Sequence, residues 1–429
     1  MDNGKNIRTK TDVVIFIAMG LIAMNMVVAN LGLYGGRTSP PLLIGAFAMM
    51  LLSIWFIWQR KGISNFSVIK MLPLIIMGVI FFVYGILFKV PSYILYAVVF
   101  IFQLPLLCIS VDRDILNKIL YVFSICSIFI YGVVLFCAFL FSPLSDLQYC
   151  GILGNPNLWG EYLTFALILI LYMYENAEKK KSQAILLIMF GVSMAEIFFS
   201  RSRTSMLAGV VIIVIYLFYT CVSRNEFKKK VIFMIITLVI CFPVTYAFLT
   251  FATPHIAKSI GLNIEFRAES FAEQLTSTSD RYLKGITNDG SISSGRVEIW
   301  KTYIPKLSVK GHDPEPLKIK DYDSKVKMDA HNAFIQVAYQ GGYPALLMFL
   351  MLLGMCMVYY LKNMLRKKMK IYDFYALATL CAAVIYMLLS SSFSPYVAFS
   401  MFGYWAFVIP GYVIDGCGYM RIADMSKSK

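Results

Sequence analysis

The chain has 429 residues, of which 59% are hydrophobic and only 15% charged, and its mean hydropathy is +0.71. A water-soluble globule of this composition lacks the polar surface to cover itself, so the predicted solvent is lipid. The formal charge of +15 does not imply nucleic acid: Lys and Arg fall in short clusters between apolar runs, with no basic stripe interleaved with aromatics.

After a basic N-terminus the first apolar run, Val13–Leu31, lacks a small-residue cleavage site and predicts a retained helix. Further runs follow at Pro41–Trp58, Met71–Phe88, Tyr93–Ile109, Ile119–Phe141, Trp159–Tyr174, Ala184–Phe199, Met206–Val222, Val231–Phe251, Tyr343–Leu361, Tyr375–Leu389 and Tyr396–Ile414. Each is near the roughly 17–25 residues that carry a helix across the hydrocarbon core. Their apolarity is continuous rather than alternating, which points to helices and not to barrel strands. The predicted fold is all-α, a polytopic membrane protein with about twelve transmembrane helices. Spans one to nine would occupy 1–251 and spans ten to twelve 331–429, around a large loop at 252–330, as one integrated membrane domain.

Placing the N-terminus in the cytoplasm puts most Lys and Arg of the short connections on the inner side, as the positive-inside rule requires. The short outer loops then hold only Arg37, Lys89, Arg201 and Arg203. Both termini are expected inside and the Ala252–Ala330 loop outside. Phe271, Leu275, Ile299, Trp300, Tyr303 and Ile304 predict short amphipathic helices in that loop, whereas Thr276–Ser294 and Val309–Lys327 read as mobile stretches. Seven cysteines (108, 126, 137, 221, 241, 356 and 381) lie in apolar runs and no C-x-x-C occurs, so neither a disulfide framework nor a zinc site is predicted.

Motifs of soluble enzymes are absent: no P-loop, no dinucleotide-binding glycine fingerprint, no H-E-x-x-H. The unusual polar residues cluster at the predicted outer face. Ser200-Arg201-Ser202-Arg203-Thr204-Ser205 places two cations where topology gives them no reason to be. Glu196, seven residues before Arg203, would share its face if the helix continued. It is either part of a functional site or a structural counter-ion. Ser294-Gly295-Arg296 is followed four residues on by Trp300, a spacing that allows the indole to stack on the guanidinium, though a solvated Arg296 is equally compatible. His331-Asn332 precedes Gly341-Gly342-Tyr343-Pro344 at the re-entry into the membrane. His331 fits a general base, or an interfacial cap. Asp321-Tyr322-Asp323 has the look of a metal-binding aspartate pair but sits among lysines and reads as a charged turn. Gly154-Asn155-Pro156-Asn157 offers either amides for sugar hydroxyls or a simple turn.

Taken in order, Gly-Asn-Pro-Asn before a span, Ser-Arg-Thr between spans, Gly-Arg with a following Trp, and His-Asn ahead of a Gly-rich re-entry resemble the O-antigen ligase and O-antigen polymerase superfamily. The likeness runs from about Gly151 to Leu361. It implies a glycosyltransferase in the bacterial cytoplasmic membrane that uses an undecaprenyl-diphosphate-linked glycan, without metal, nucleotide or other cofactor. By the same resemblance Arg203 and Arg296 would bind the diphosphate and His331 would be the catalytic histidine. Arg201, Glu196, Asn155, Asn157, Trp300 and Asn332 would bind substrate. Membrane lipid, a flippase and a chain-length regulator are the partners implied. Ligase-type sequences carry a glycine three residues after the first re-entry glycine; here Gly342 is followed at that distance by Ala345, which tilts the expectation towards a polymerase, with ligase as the alternative and a flippase as a more distant one.

Elementary chemistry agrees. Outside the cytoplasm no nucleotide sugar is supplied, so a transferase there needs a donor already activated on lipid. A departing diphosphate gathers negative charge, and arginine matches it with a permanent cation and a fork of donors.

Overall fold

The computed structural model describes residues 2–31, 39–59, 62–144, 148–223, 226–261, 270–287, 296–319, 327–366, 369–396 and 398–421. The helices are α1 (Asp2–Asn30), α2 (Ser39–Gln59), α3 (Val68–Leu87), α4 (Pro91–Val98), α5 (Leu104–Ser110), α6 (Arg113–Phe141), α7 (Pro156–Asn176), α8 (Lys180–Phe199) and α9 (Arg203–Val222). They continue with α10 (Phe227–Ala247), α11 (Thr253–Ser259), α12 (Phe271–Thr287), α13 (Arg296–Tyr303), α14 (Ala333–Leu365), α15 (Ile371–Leu389), α16 (Phe399–Gly403) and α17 (Ile409–Val413). Single π-helical turns join α4 to α5, α10 to α11 and α16 to α17. Strands β1 (Gly62–Phe66) and β4 (Ile414–Arg421) form one antiparallel pair, and β2 (Leu317–Lys318) and β3 (Lys327–Met328) another.

Among the described residues eleven helical stretches are long and apolar enough to cross a bilayer. The chain is a multi-pass, predominantly helical membrane protein. The twelfth expected run, Tyr396–Ile414, yields a shorter apolar helix at Phe399–Val413. Its ends explain the shortening: Ala398 is extended (φ −87°, ψ 145°), and Ile414 leaves the helix to enter β4.

The chain divides into two compact units, one of Met1–Cys126, Arg296–Lys362 and Met387–Lys429, the other of Ser127–Gly295 and Asn363–Tyr386. In the first unit an aromatic core is built on Phe81, whose ring meets Tyr93 at 5.3 Å, Tyr96 at 5.8 Å and Phe393 at 6.0 Å. Trp405 packs on Phe100 at 4.8 Å and donates its indole N–H to the Phe393 carbonyl at 3.1 Å, which pins the irregular segment after α15. At one end of α3, Lys70 donates to the Tyr412 carbonyl at 3.1 Å, and Arg113 donates to that of Gly411. Two cations thus meet the C-terminal end of α17, where the helix dipole favours them.

At the other end of α3 the chain crosses a break in α14. Gly342 has φ 72° and ψ 177°, a conformation essentially reserved for glycine, and it splits α14 into a short helix from Ala333 and the long span from Tyr343. The 308–312 segment lies over the break: Tyr343 N–H donates to the Ser308 carbonyl at 3.1 Å, and His312 N–H to that of Tyr339 at 2.9 Å. A Cβ on Gly342 would run into the Val309 carbonyl. The expected span start at Tyr343 therefore marks the second half of a longer, broken helix.

The second unit centres on α7, which is buried along most of its length. At its C-terminal end Glu175 accepts from Lys230 at 2.6 and 2.7 Å and from Tyr216 at 2.6 Å, so this buried pair is paired and hydrogen-bonded. Two expectations for the large loop change. The helix expected to end at Phe251 continues through its π turn to Ser259. The stretch from Thr276, expected to be mobile, is helical as far as Thr287, while residues 288–294 lie outside the described residues. The cause is a capping box: Ser270 N–H donates to Glu273 at 2.8 Å while Glu273 N–H donates to the Ser270 hydroxyl at 3.3 Å. Hydrogen bonding to Ser270, from its backbone N–H first and then from its side chain, holds the Glu273 carboxyl below its usual range.

Candidate functional site

In the second unit the Gly-Asn-Pro-Asn and Ser-Arg-Ser-Arg motifs meet at one corner. Asn155 is the N-cap of α7: its side-chain oxygen accepts from Asn157 N–H at 2.9 Å and Leu158 N–H at 3.3 Å, and Pro156 takes the first helical position. Asn157 accepts from the Ser202 hydroxyl at 3.0 Å. From there hydroxyls continue inward, with Ser205 donating to Ser202 at 2.8 Å and Tyr386 to Ser205 at 3.0 Å. Gly160 allows the approach, since a Cβ there would strike Ser205.

The α8–α9 corner turns sharply because Arg201 adopts φ 53°. Helix α8 stops at Phe199 and α9 starts at Arg203, so the continuous helix that would have put Glu196 and Arg203 on one face does not exist. Glu196 is completely buried beside Trp159, Tyr131 and Tyr149, and neither carboxylate oxygen has a hydrogen-bond partner among the described residues. Arg201 is also buried, and its guanidinium holds α12: it donates to Gln274 at 2.9 Å, Ser277 at 2.7 Å and Thr278 at 3.2 Å. Arg203, half-buried, occupies the first position of α9.

In the first unit Arg296 occupies the first position of α13, and that helix is fastened to the His331 segment. Four residues after Arg296, Trp300 turns its indole N–H to the Ala330 carbonyl at 3.0 Å, and Tyr303 donates to the Met328 carbonyl at 2.8 Å. Ile299, Tyr303, Ile319, Ala330 and Tyr339 form the small core beneath. Asn332 is the N-cap of α14, accepting from Phe334 N–H at 3.0 Å and Ile335 N–H at 3.1 Å while donating to the Leu388 carbonyl at 3.0 Å. The cap reading thus falls to Asn332 and not to His331. His331 itself sits at φ 47°.

His331 lines a cavity of about 440 Å³ together with Asp329, Gln336, Gln340, Tyr93, Tyr96 and the serine-rich 390–394 segment. Ala330 belongs to the core cluster, while Asp329 and His331 on either side of it both line the cavity. The Ala330 backbone is fixed from both directions, because its N–H donates to the Gln336 side chain at 3.0 Å. Sequence reasoning missed Asp329, Gln340 and the 390–394 segment. Only Asp329, two residues from His331, carried a readable signal; the others reach the cavity through tertiary packing. The Asp321-Tyr322-Asp323 turn and Gly295 lie outside the described residues. Among the described residues no group of three or more His, Cys, Asp or Glu comes together.

Comparison with curated proteins gave no match, and comparison with solved structures gave none. Residues 184–350 match the family model described as O-Antigen ligase. The matched stretch includes Glu196, Arg201, Arg203, Arg296, Trp300, His331 and Asn332, and excludes Asn155 and Asn157. Members of that family act in surface-glycan ligation or polymerisation on lipid-linked glycans at the membrane. Over this segment, a little over a third of the chain, the sequence is similar to the O-antigen ligase family, in line with the resemblance carried by its motifs.

Proposed function

We propose that the protein is an extracytoplasmic glycosyltransferase of the bacterial cytoplasmic membrane that joins undecaprenyl-diphosphate-linked repeats into a surface polysaccharide. In the proposed step the acceptor hydroxyl oxygen bonds to the anomeric carbon of the donor and the anomeric C–O bond to the diphosphate breaks. The bonding pair leaves on the undecaprenyl diphosphate, and the hydroxyl proton passes to the His331 imidazole, a role usually contributing about 10²–10⁴-fold. Arg203 and Arg296 are the proposed phosphate-binding residues: each stands at the first position of its own helix, where N-terminal amides and a guanidinium favour an anion. The observation that carries this reading is His331 lining a polar cavity on a backbone clamped by Trp300, inside the family match.

Ligation to a lipid A–core or other surface acceptor is the second reading, favoured by the description of the matched family. Glycan analysis of a strain lacking the gene separates the two. A polymerase leaves single repeats on the carrier, a ligase leaves full-length chains on it, and a normal surface polymer would defeat both. Arg203→Lys keeps the charge but loses the fork, so a large loss of turnover is expected; near-normal activity would argue against bidentate phosphate binding.

A further inference from the structure

The cavity beside His331 has a lining that discriminates between parts of a lipid-linked glycan. None of the described residues lining it is Lys or Arg. Asp329 instead contributes a carboxylate that accepts from Ser391 at 3.4 Å, and a carboxylate repels phosphate. Gln340 also lines the cavity; it is 8% exposed, and its side-chain oxygen accepts from none of the described residues. A buried acceptor without a donor is costly, which points to a ligand hydroxyl as its partner. Tyr96 also lines the cavity, and its ring is held by Phe81 at 5.8 Å, Phe393 at 5.4 Å and Phe100 at 6.4 Å. Acceptors for hydroxyl protons beside a fixed aromatic face match a neutral sugar, whose edge is hydroxyls and whose face is C–H. The volume of about 440 Å³ lies in the range of small-molecule sites, roughly 300–1,000 Å³.

We infer that this cavity is the subsite for the sugar carrying the attacking hydroxyl, with Asp329 and Gln340 binding its hydroxyls and Tyr96 its face, and that the diphosphate binds elsewhere. The inference rests on the transferase reading and on His331 as its base. It assigns selectivity for the acceptor to Asp329 and Gln340.

The test uses the full chain in proteoliposomes with carrier-linked single repeats extracted from a gene-deleted host. Two competitors are titrated: the free oligosaccharide released from those repeats by mild acid, and inorganic pyrophosphate. For Asp329→Asn the inhibition constant of the oligosaccharide should rise tenfold to about a hundredfold, the loss of one hydrogen bond to a charged group. Inhibition by pyrophosphate should be unchanged, and Asp329→Glu should restore part of the oligosaccharide affinity. Gln340→Met decides the matter even where Asp329→Asn does not fold: thermal stability should be kept and oligosaccharide inhibition weakened about tenfold. Unchanged oligosaccharide inhibition in Gln340→Met, or a loss of pyrophosphate inhibition in Asp329→Asn, overturns the subsite while an inactive His331→Ala keeps the transferase reading. An active His331→Ala enzyme overturns both.

Discussion

Replacing Trp300 with Phe removes one N–H and leaves most of the ring. In the native structure that N–H reaches the carbonyl of Ala330 at 3.0 Å, and Ala330 is fully buried, so no water replaces it. An unsatisfied buried carbonyl costs about 1–3 kcal/mol, and the change in ring size adds a smaller packing loss in the core beneath. Ala330 is the residue from which both Asp329 and His331 are presented, so the cost appears as a looser cavity wall. If half of it is expressed in the transition state, turnover falls roughly threefold to tenfold, since about 1.4 kcal/mol is a factor of ten. Hydrogen–deuterium exchange of the peptide containing 328–332, read beside turnover in proteoliposomes, checks both ends of the chain of cause. Wild-type protection together with wild-type turnover in Trp300→Phe would refute a clamp role for the indole.

Gly342→Ala should destabilise by about 1–3 kcal/mol from backbone strain alone, more with its methyl against the Val309 carbonyl; a lowered melting temperature in detergent is the readout, and an unchanged one contradicts the break described. Arg201→Lys keeps a cation but cannot reach Gln274, Ser277 and Thr278 together. Limited proteolysis within 271–287 should accelerate several-fold in that variant. The pH dependence of α12 follows from Glu273, whose carboxyl is held low by Ser270. A depressed folded value adds stability above the ordinary value of 4.5, and this is lost as pH falls through the folded value. Exchange protection of α12 should therefore drop in acid below about pH 4.5, and Glu273→Gln should flatten that response.

The spans were legible because each needs only a continuous apolar run, and the chain offers them from Val13 onward. The last was overestimated, since Tyr396–Ile414 reads as one run although its ends leave the helix. Helix α12 was misread for a different reason. Thr276, Ser277 and Thr278 look like loop residues, but two of them are acceptors for the Arg201 guanidinium, a contact about 75 residues away in sequence. The local signal that favoured helix was Ser270-x-x-Glu273, a capping box in plain view. At the site, Asn155 and Asn332 were expected to bind substrate, and the structure makes each the N-cap of a helix, a role the sequence reading offered only for His331. Gln340 could not be distinguished from any other polar residue on a helix, because what sets it apart is the lack of a donor for its oxygen among the described residues.

The first unit draws its cavity from chain segments made at very different times. Tyr93 and Tyr96 emerge early in synthesis, and the 390–394 segment that completes the lining emerges about 300 residues later. At roughly 5–20 residues per second, the half-built wall waits on the order of 15–60 s for its closing segment. Nascent chains stalled or truncated before residue 390 should then expose Tyr96 and its aromatic neighbours, and quality-control proteases of the membrane would meet this unit as an unfinished client.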